Sequence, residues 1–326
     1  MKRVAQSEKG AALLAVLLLV AVTGAIAAAA MEGLRLSRAI AANATALDQA
    51  RAFADGVEQL AILTIDDLVS RNPARTDPGD WNGAVRHIAL PGGAAADVRI
   101  RDGGNCFNVN SVAEGQSATG LARRPSGVLQ FTGLMIALEV PEADARRIAE
   151  AAADWVDSDT APGPGGAEDE TYQAGAAPYR TGNTLFADPG EVRVLAGMSG
   201  EIYARVRPWL CALPVSDLSP ININTLAPAQ APLLAMLAPG QLDVPRARRI
   251  LAARPAAGWS NQIEFWRIEA MSELTVPLDV QLQPQLRTDW FAFDLKVAVR
   301  ESEFEETLLV DARLQPSRVV AHRWGG

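Results

Sequence analysis

The residue types best able to do chemistry are acidic and lie in one stretch of the chain. Between residues 148 and 179 there are seven carboxylates and no Lys or Arg. Such a run is ordinarily a solvated loop, but the Pro/Gly turn at residues 162–166 can fold the chain back on itself. Clustered carboxylate oxygens then repel each other unless they share a cation, and Ca²⁺ takes six to eight of them. The candidate ligands are Asp157, Asp159, Glu168 and Asp169, with Asp188 as an outlying candidate, and the twelve-residue EF-hand spacing is missing.

Composition argues against an enzyme and against a nucleic-acid surface. The chain has only two histidines, His87 and His322, which we expect in a loop and a strand respectively. No nucleophile elbow, phosphate loop or His-Glu-x-x-His string occurs. The net charge is −8 and the first ten residues carry +2, so the remainder sums to −8 − 2 = −10. DNA and anionic lipid are therefore poor partners.

The elements that must position the acidic stretch begin with a long apolar helix. Residues 10–31 are 22 uncharged residues, which at about 1.5 Å per residue reach roughly 33 Å and span a bilayer core. A removed signal peptide is the alternative, with Ala28 and Ala30 as a small-residue cleavage site. Its apolar part is normally about 7–15 residues, shorter than this one. The pattern favours a retained segment.

The apolar helix continues into an amphipathic one. No proline occurs before Pro73, so nothing in the sequence breaks the helix earlier. Apolar residues recur at steps of three, four and seven, which predicts one helix over residues 11–70 with its second half against a globular head. These residues are Leu36, Ile40, Leu47, Ala50, Ala54, Val57, Ala61 and Leu68.

A short basic leader, residues 1–10, ends in Glu8-Lys9-Gly10 and precedes the apolar run. This resembles the leader of type IV pilins and type II secretion pseudopilins; the alternative is a chance Lys-Gly before an ordinary anchor. The resemblance implies that a prepilin peptidase cuts between Gly10 and Ala11 and that Ala11 becomes N-methylated. The helix would then stay on the protein as membrane anchor and polymerisation element.

One residue departs from the usual pattern of that family. Ordinary subunits carry a glutamate at the fifth mature position, where this chain has Ala15. The resemblance implies that this glutamate neutralises the N-terminal amine of the subunit ahead, and an unpaired carboxylate at membrane depth is costly. A subunit at the tip has no neighbour ahead of it. Among pseudopilins, the large K-type minor component typically lacks the glutamate.

The head is predicted to contain a small antiparallel sheet. Apolar and polar residues alternate over residues 291–300, and the pattern repeats over 308–314 and 320–324. An earlier strand is predicted over residues 97–101. The fold class is therefore α+β: a long N-terminal transmembrane and amphipathic helix packed on a small antiparallel sheet, as in pilins, with a large α-helical subdomain inserted in the head.

The predicted insert covers residues 106–285. Its helices are placed over residues 141–156, 191–196, 227–237, 244–253 and 261–269. Its short sequence motifs, such as Asn105-Cys106-Phe107-Asn108-Val109-Asn110, resemble those of K-type pseudopilins. That resemblance also implies a calcium-bearing acidic loop. The predicted division is 1–10 leader, 11–31 transmembrane part, 32–72 amphipathic helix, 73–105 first part of the sheet, 106–285 insert of two helical units, and 286–326 final strands.

Two asparagine motifs mark the two helical units. Asn108-Val109-Asn110 is echoed by Asn222-Ile223-Asn224, and we expect each asparagine to bond local backbone ahead of a helix. The second motif also resembles the helix-hairpin-helix modules of DNA-uptake proteins, with a hairpin at residues 239–243. The alternative function is therefore a single-pass envelope protein that binds DNA. One glycine and an acid in the hairpin count against it.

Cys106 and Cys211 are the only cysteines. A head outside the cytoplasm is in an oxidising compartment, so we expect them to be bonded; two buried free thiols are the alternative.

The resemblance implies a minor pseudopilin of the type II secretion system, anchored once in the inner membrane with its head in the periplasm, and the acidic cluster together with the resemblance predicts bound Ca²⁺. The resemblance implies a place at the pseudopilus tip, where it initiates assembly and helps export folded proteins. Expected partners are companion minor pseudopilins, the major pseudopilin, the prepilin peptidase and the inner-membrane assembly platform, and no nucleic acid.

Overall fold

The N-terminal part of the chain is one continuous helix. A computed structural model describes residues 5–76, 79–116, 120–174 and 178–324. Helix α1, Ala5–Arg71, runs for 67 residues without a break, which confirms the long helix predicted from the sequence. Residues 11–45 are all exposed, and a buried face starts at Ala46 and continues through Ala50, Ala54 and Val57.

Strands and helices alternate irregularly after α1. The main sheet has five strands in the order β1-β2-β7-β8-β9, and two two-stranded sheets pair β3 with β6 and β4 with β5. The strands are β1 Val85–Ala89, β2 Ala95–Asp102, β3 Phe107–Asn108, β4 Ala113–Gln116, β5 Gly120–Arg123, β6 Leu210–Cys211, β7 Trp290–Val299, β8 Ser302–Asp311 and β9 Arg318–Trp324. The further helices are α2 Pro125–Ala137, α3 Glu142–Val156, α4 Asp169–Gln173, α5 Gly200–Val206, α6 Ala231–Ala235, α7 Val244–Ala252, α8 Gln262–Trp266, α9 Glu269–Ser272 and α10 Leu278–Gln281.

The described chain divides into two compact units. The smaller unit contains α1 up to Val57 together with His87–Asp97 and Lys296–Glu305. Within it, the guanidinium of Arg51 lies 6.0 Å from the ring centroid of Phe304. The prediction that His87 lies in a loop was wrong: it lies in β1, and its Nδ1 is 2.5 Å from Oδ1 of Asp97 in β2. A strand with so many exposed residues has no alternating pattern to reveal it.

The larger unit contains the C-terminal end of α1 and the late strands. Phe291 and Phe293 of β7 are fully buried, as the alternation predicts, and β8 pairs with β9 in antiparallel register with Leu308 opposite His322. The carboxylate of Asp66 in α1 accepts hydrogen bonds from the backbone N–H and the hydroxyl of Ser317, at 2.9 and 2.6 Å. These bonds attach the helix end to the residue before β9.

The core of the helical insert is apolar and close-packed. The rings of Phe107 and Phe131 stack with centroids 4.7 Å apart, and both side chains are fully buried. Helix α3 confirms the predicted helix over residues 141–156. Helix α2 was not predicted because its exposed side also carries apolar residues, Leu129 and Ile136, so no polar face reveals a helical period. Gly127 is required in α2, since a Cβ there would lie 1.9 Å from the carbonyl oxygen of Ser111.

Other predicted helices are shorter than expected. The segment predicted over 191–196 is a 3₁₀ helix, Pro189–Val194, and the one predicted over 227–237 is a 3₁₀ turn, Pro228–Gln230, followed by α6. The one predicted over 261–269 is α8 followed separately by α9. Pro232 lies inside the segment predicted over 227–237 and cannot donate to an i to i−4 ladder, which separates the 3₁₀ turn from α6.

The two asparagine motifs make matching contacts. The Oδ1 atoms of Asn108 and Asn222 accept the backbone N–H two residues on, at 3.2 and 2.9 Å, which confirms the expected local turns. The side-chain amide of Asn110 accepts a hydrogen bond from the backbone N–H of Phe186 at 2.7 Å and donates one to its C=O at 3.0 Å. Asn224 makes the same two hydrogen bonds with the backbone N–H and C=O of Trp259, at 2.8 and 3.0 Å. Each motif therefore fixes a downstream aromatic residue of its own half of the insert.

The junction between sheet and insert is held by Asp102 at the end of β2. Its Oδ2 accepts the hydroxyls of Thr225 and Thr288, each at 2.6 Å, and its Oδ1 accepts the backbone N–H of Gly104 at 3.0 Å. Desolvation nonetheless raises the pKa of Asp102 to about 6, because these hydrogen bonds only partly offset the loss of water. One carboxylate thus links the sheet to two distant positions along the chain.

Candidate metal centre

Three of the predicted acidic residues come together after helix α3. Asp157 and Asp159 follow the end of α3, and Glu168 directly precedes α4. One carboxylate oxygen of each of the three lies within 4.8 Å of the other two. Asp157 and Glu168 are 3% and 5% exposed, whereas Asp159 is exposed. The turn at residues 162–166 folds the chain back as the sequence predicts.

Two oxygens of this group are buried without a partner. Among the described residues, nothing hydrogen-bonds to Oδ1 of Asp157 or to Oε1 of Glu168. Buried polar atoms are rarely left unsatisfied, because their desolvation is then uncompensated. Desolvation, followed by the charges of Asp159, Asp154 and Glu168, raises the pKa of Asp157 to about 7. Desolvation also raises the pKa of Glu168. The residues present therefore fit a hard divalent cation.

Asp154 supports the group from α3 and was absent from the predicted ligands. It is 1% exposed, and its carboxylate accepts the backbone N–H of Gly163 at 3.0 Å and of Ala167 at 2.7 Å. A Cβ at Gly166 would lie 1.9 Å from Oδ2 of Asp154, so only glycine fits there. Asp154 thus holds the turn that brings Glu168 back to Asp157. Its place three residues before Asp157, on the same face of α3, was the sequence signal for this role.

A guanidinium offsets part of the negative charge. Arg123 in β5 donates to both carboxylate oxygens of Glu150 in α3, at 2.8 and 2.6 Å. The hydrogen bond with Glu150, and then the charges of Glu150, Asp154 and Asp157, raise the pKa of Arg123 above its usual value. One arginine does not neutralise five nearby carboxylates, so an excess of negative charge is left for a cation.

Two of the predicted ligands are engaged elsewhere. The Oδ1 of Asp169 accepts both the backbone N–H and the hydroxyl of Thr181, each at 2.9 Å, and these bonds lower its pKa. Asp188 accepts the backbone N–H of Gly190 at the start of a 3₁₀ helix and pairs with Arg323, whose Nε lies 2.6 Å from Oδ2. The structure brings neither residue into the group of three.

Aromatic rings pack next to the acidic group. The indole of Trp155, two residues before Asp157, contacts Tyr172 edge-on at 5.6 Å and stacks on Phe186 at 6.1 Å between ring centroids. A Cβ at Gly182 would lie 3.0 Å from Nε1 of Trp155, so this segment passes closely over the indole. Trp155 is therefore a spectroscopic reporter beside the candidate metal centre.

The disulfide is present. Cys106 and Cys211 are bonded with Cα atoms 5.8 Å apart, next to the parallel pair of β3 and β6. The structure therefore decides against the alternative of two free thiols. Cross-linking residues 105 positions apart restrains the unfolded chain by about 4–5 kcal/mol on the chain-entropy model.

Two backbone amides in the hairpin of the DNA-binding alternative already have acceptors within the chain. Between α6 and α7, the backbone N–H groups of Gln241 and Leu242 both donate to the carbonyl of Ala238, at 3.0 and 2.9 Å. Asp243 places a carboxylate at the start of α7 and accepts the N–H of Arg246 at 2.6 Å. An incoming phosphate would meet this carboxylate and two N–H groups that already donate within the chain. The geometry disfavours the helix-hairpin-helix interpretation.

The predicted processing site lies within α1. Gly10 and Ala11 belong to the continuous helix, and the helix over Ala11–Arg71 is long and apolar enough to cross a membrane. The mean hydropathy of its most apolar 18-residue window is 2.6, and none of that window is buried.

The helix, the antiparallel sheet and the helical insert define a pilin-like α+β subunit. Two family models, both described as type II secretion system (T2SS), protein K, match residues 105–215 and 221–287. The chain belongs to the type II secretion system protein K family. It is accordingly a minor pseudopilin, a structural component of that system.

Similar proteins cover nearly the whole chain. Type II secretion system protein K of Pectobacterium carotovorum subsp. carotovorum is 32% identical over 98% of this chain and 97% of its own length. The protein of the same name from Klebsiella pneumoniae is 34% identical over the same shares of both chains. A solved chain from the crystal structure of the GspK-GspI-GspJ complex of enterotoxigenic Escherichia coli matches with a TM-score of 0.73 and 29% identity, over 86% of this chain and 96% of that one.

Proposed function

We propose that this minor pseudopilin forms the tip of the periplasmic pseudopilus, starts its assembly and helps export folded proteins across the outer membrane. The observation that carries the proposal is the exposed stretch of α1: residues 11–45 have no packing partner within the described chain. Leucines and valines fill much of that surface, and their exposure to water is unfavourable. They need a membrane before assembly and neighbouring helices after it.

In the proposed order of events, helix α1 is first inserted in the inner membrane. A prepilin peptidase cuts between Gly10 and Ala11, Ala11 is methylated, and the head stays in the periplasm. The leader residues Glu8-Lys9-Gly10 and the uncharged stretch that follows support this order of events. The disulfide supports a head in an oxidising compartment.

Ala15 supports the tip position. A glutamate at that place in an apolar helix would be costly without a neighbouring amine to pair with. A subunit that enters first has no amine ahead of it, so alanine removes that cost. The insert supports the same position, because a helical subdomain of this size widens the head and would hinder a further subunit from adding above it.

The proposed partners are companion minor pseudopilins, the major pseudopilin below them and the inner-membrane assembly platform. Support for the first of these comes from the similar solved chain, whose crystal structure contains GspK, GspI and GspJ together. Packing of exposed apolar helices side by side is the chemistry that would join them.

We also propose that Ca²⁺ binds Asp157, Asp159 and Glu168 as a structural ion, with Asp169 and Asp188 outside the inner set. The unpartnered oxygens of Asp157 and Glu168 support it. Bound Ca²⁺ would supply the charge that holds the segment between α3 and α4 closed. Asp154 positions this segment through the backbone of Gly163 and Ala167.

Labelling of isolated pseudopili tests the tip position. A peptide tag inserted at the exposed residue Gly200, which has open space around it, is detected by gold-labelled antibody on sheared pseudopili. We expect one label at one end of each filament. Labels spaced along the filaments would contradict a tip role, and the same tag on a major pseudopilin is the positive control for labelling along the length.

A further inference from the structure

A polar cavity of about 520 Å³ lies where the sheet meets the helical insert. Its floor is the face of β2, β7, β8 and β9 that carries Arg101, Asp294 and Thr307, opposite the face of the buried phenylalanines. Its wall is the segment at residues 207–212, which includes the disulfide-bonded Cys211. Cavities of this size between subdomains are common ligand sites.

Three arginines line this cavity, and in the described parts of the chain two of them form ion pairs and one does not. Arg101 makes a two-pronged contact with Asp294, with both distances 2.9 Å, and Arg323 pairs with Asp188. Arg207 is half-buried in the wall and makes no ion pair in the described parts of the chain. A guanidinium carries five N–H donors in a planar fork, which makes an unpaired one at a cavity wall a ready anion receptor.

The two acidic residues of the cavity, Asp102 and Asp294, form no ion pair with Arg207. The carboxylate of Asp102 is already held by Thr225, Thr288 and Gly104. Asp294 is occupied by Arg101 and also accepts the hydroxyl of Thr307 at 3.2 Å. These two carboxylates would repel a doubly charged phosphate more strongly than a singly charged group. The cavity therefore favours a monoanion.

We propose that this cavity recognises a single carboxylate carried by another polypeptide, with Arg207 as the receptor. A carboxylate matches the guanidinium fork with two parallel hydrogen bonds. The carboxylate belongs either to an Asp or Glu side chain or to a free C terminus. This site is separate from the candidate metal centre and from helix α1, so it goes beyond the proposed function.

Calorimetric titration of the full chain in detergent micelles tests the proposal with three N-acetylated tripeptide probes. Acetyl-Gly-Glu-Gly-amide presents a side-chain carboxylate, acetyl-Gly-Gly-Gly with a free acid presents a C terminus, and acetyl-Gly-Gln-Gly-amide presents neither. We expect saturable binding of one acidic probe, which identifies the source. The Arg207→Gln variant should bind it at least about tenfold more weakly, as expected on losing charge-assisted hydrogen bonds.

Arg248→Gln is the matched control, because Arg248 is an exposed arginine on α7 away from the cavity. It should bind the acidic probe as the parent does, and the thermal unfolding midpoint of Arg207→Gln should match that of Arg248→Gln. The proposal fails if neither acidic probe binds more tightly than the glutamine probe. It also fails if Arg207→Gln binds as well as the parent, or if Arg248→Gln loses as much affinity.

Discussion

Asp157 and Glu168 face each other across the turn at residues 162–166, each with a buried carboxylate oxygen that nothing in the described chain hydrogen-bonds. Arg123 offsets only part of their repulsion, a cation between them would offset the rest, and desolvation raises the pKa of both. Substitution of either residue is therefore the most direct test of the proposed calcium site.

Replacing Asp157 is expected to weaken Ca²⁺ binding. Asp157→Asn removes one charged ligand, so affinity should fall by about tenfold or more in a calorimetric titration of the full chain. In the parent, Ca²⁺ at a hundred times its dissociation constant should stabilise the fold by about 2.7 kcal/mol. The total tryptophan fluorescence should change over the same titration, because Trp155, one of seven tryptophans, packs beside the site.

Asp188→Asn is the matched control for this experiment. The sequence offers Asp188 as a ligand, but the structure pairs it with Arg323, so its replacement should leave the affinity for Ca²⁺ unchanged. Absence of binding in the parent would defeat the calcium proposal. Equal losses in the two variants would show that the ligands are not those of the group of three.

A methyl group at Gly166 should disturb the same site without removing a ligand. Because the new Cβ would lie 1.9 Å from Oδ2 of Asp154, Gly166→Ala must displace the turn. We expect a loss of stability of about 1–3 kcal/mol and weaker Ca²⁺ binding. Gly200→Ala is the control, since its Cβ meets nothing within 4 Å and should be neutral or slightly stabilising. Unchanged Ca²⁺ affinity in Gly166→Ala would contradict the role given to Asp154.

Removing the disulfide should destabilise the head without abolishing its fold. The double variant Cys106→Ser, Cys211→Ser is expected to lose up to about 4–5 kcal/mol, since the closed loop is long. Urea unfolding of the parent with and without reductant supplies the comparison. The reduced parent and the double variant should unfold at similar urea concentrations; a double variant as stable as the oxidised parent would show that the cross-link contributes nothing.

The carboxyl of Asp102 predicts a specific pH dependence. Its pKa in the folded chain is about 6, above the ordinary value of 3.8, so its contribution to stability is full below pH 3.8 and is lost as pH rises through 6. As the pH falls from 7.5 to 4, the free energy of unfolding of the parent should therefore increase relative to that of Asp102→Asn. The expected increase is about 1–3 kcal/mol after allowance for partial exposure. Urea midpoints of both proteins across this range measure it, and a constant difference would refute the shifted pKa.

Much of this fold could be predicted from the spacing of apolar residues, because that spacing depends only on residues close together in the sequence. The alternation in β7 and the amphipathic period of α3 each predicted an element that the structure contains. The first half of β8 was missed because Glu306, which lies on the buried face with Leu308 and Val310, interrupts the apolar alternation. On the other face, the carboxylates of Glu303 and Glu305 pair with Lys296, at 2.6 and 3.0 Å, a contact that no local pattern contains.

The candidate metal centre was predictable only in part for the same reason. The clustered acids and the Pro/Gly turn indicated Asp157, Asp159 and Glu168. Whether Asp169 and Asp188 join them depends on Thr181, 12 residues after Asp169, and on Arg323 in the distant strand β9, which hold those two acids elsewhere.

The mature N-terminus tests the central claim most directly. Mass spectrometry of the chain extracted from membranes should find a methylated N-terminus at Ala11, and Met1 should be retained in cells without the prepilin peptidase. Retention of Met1 in cells that contain the peptidase would contradict the account, as would a chain beginning at Met31.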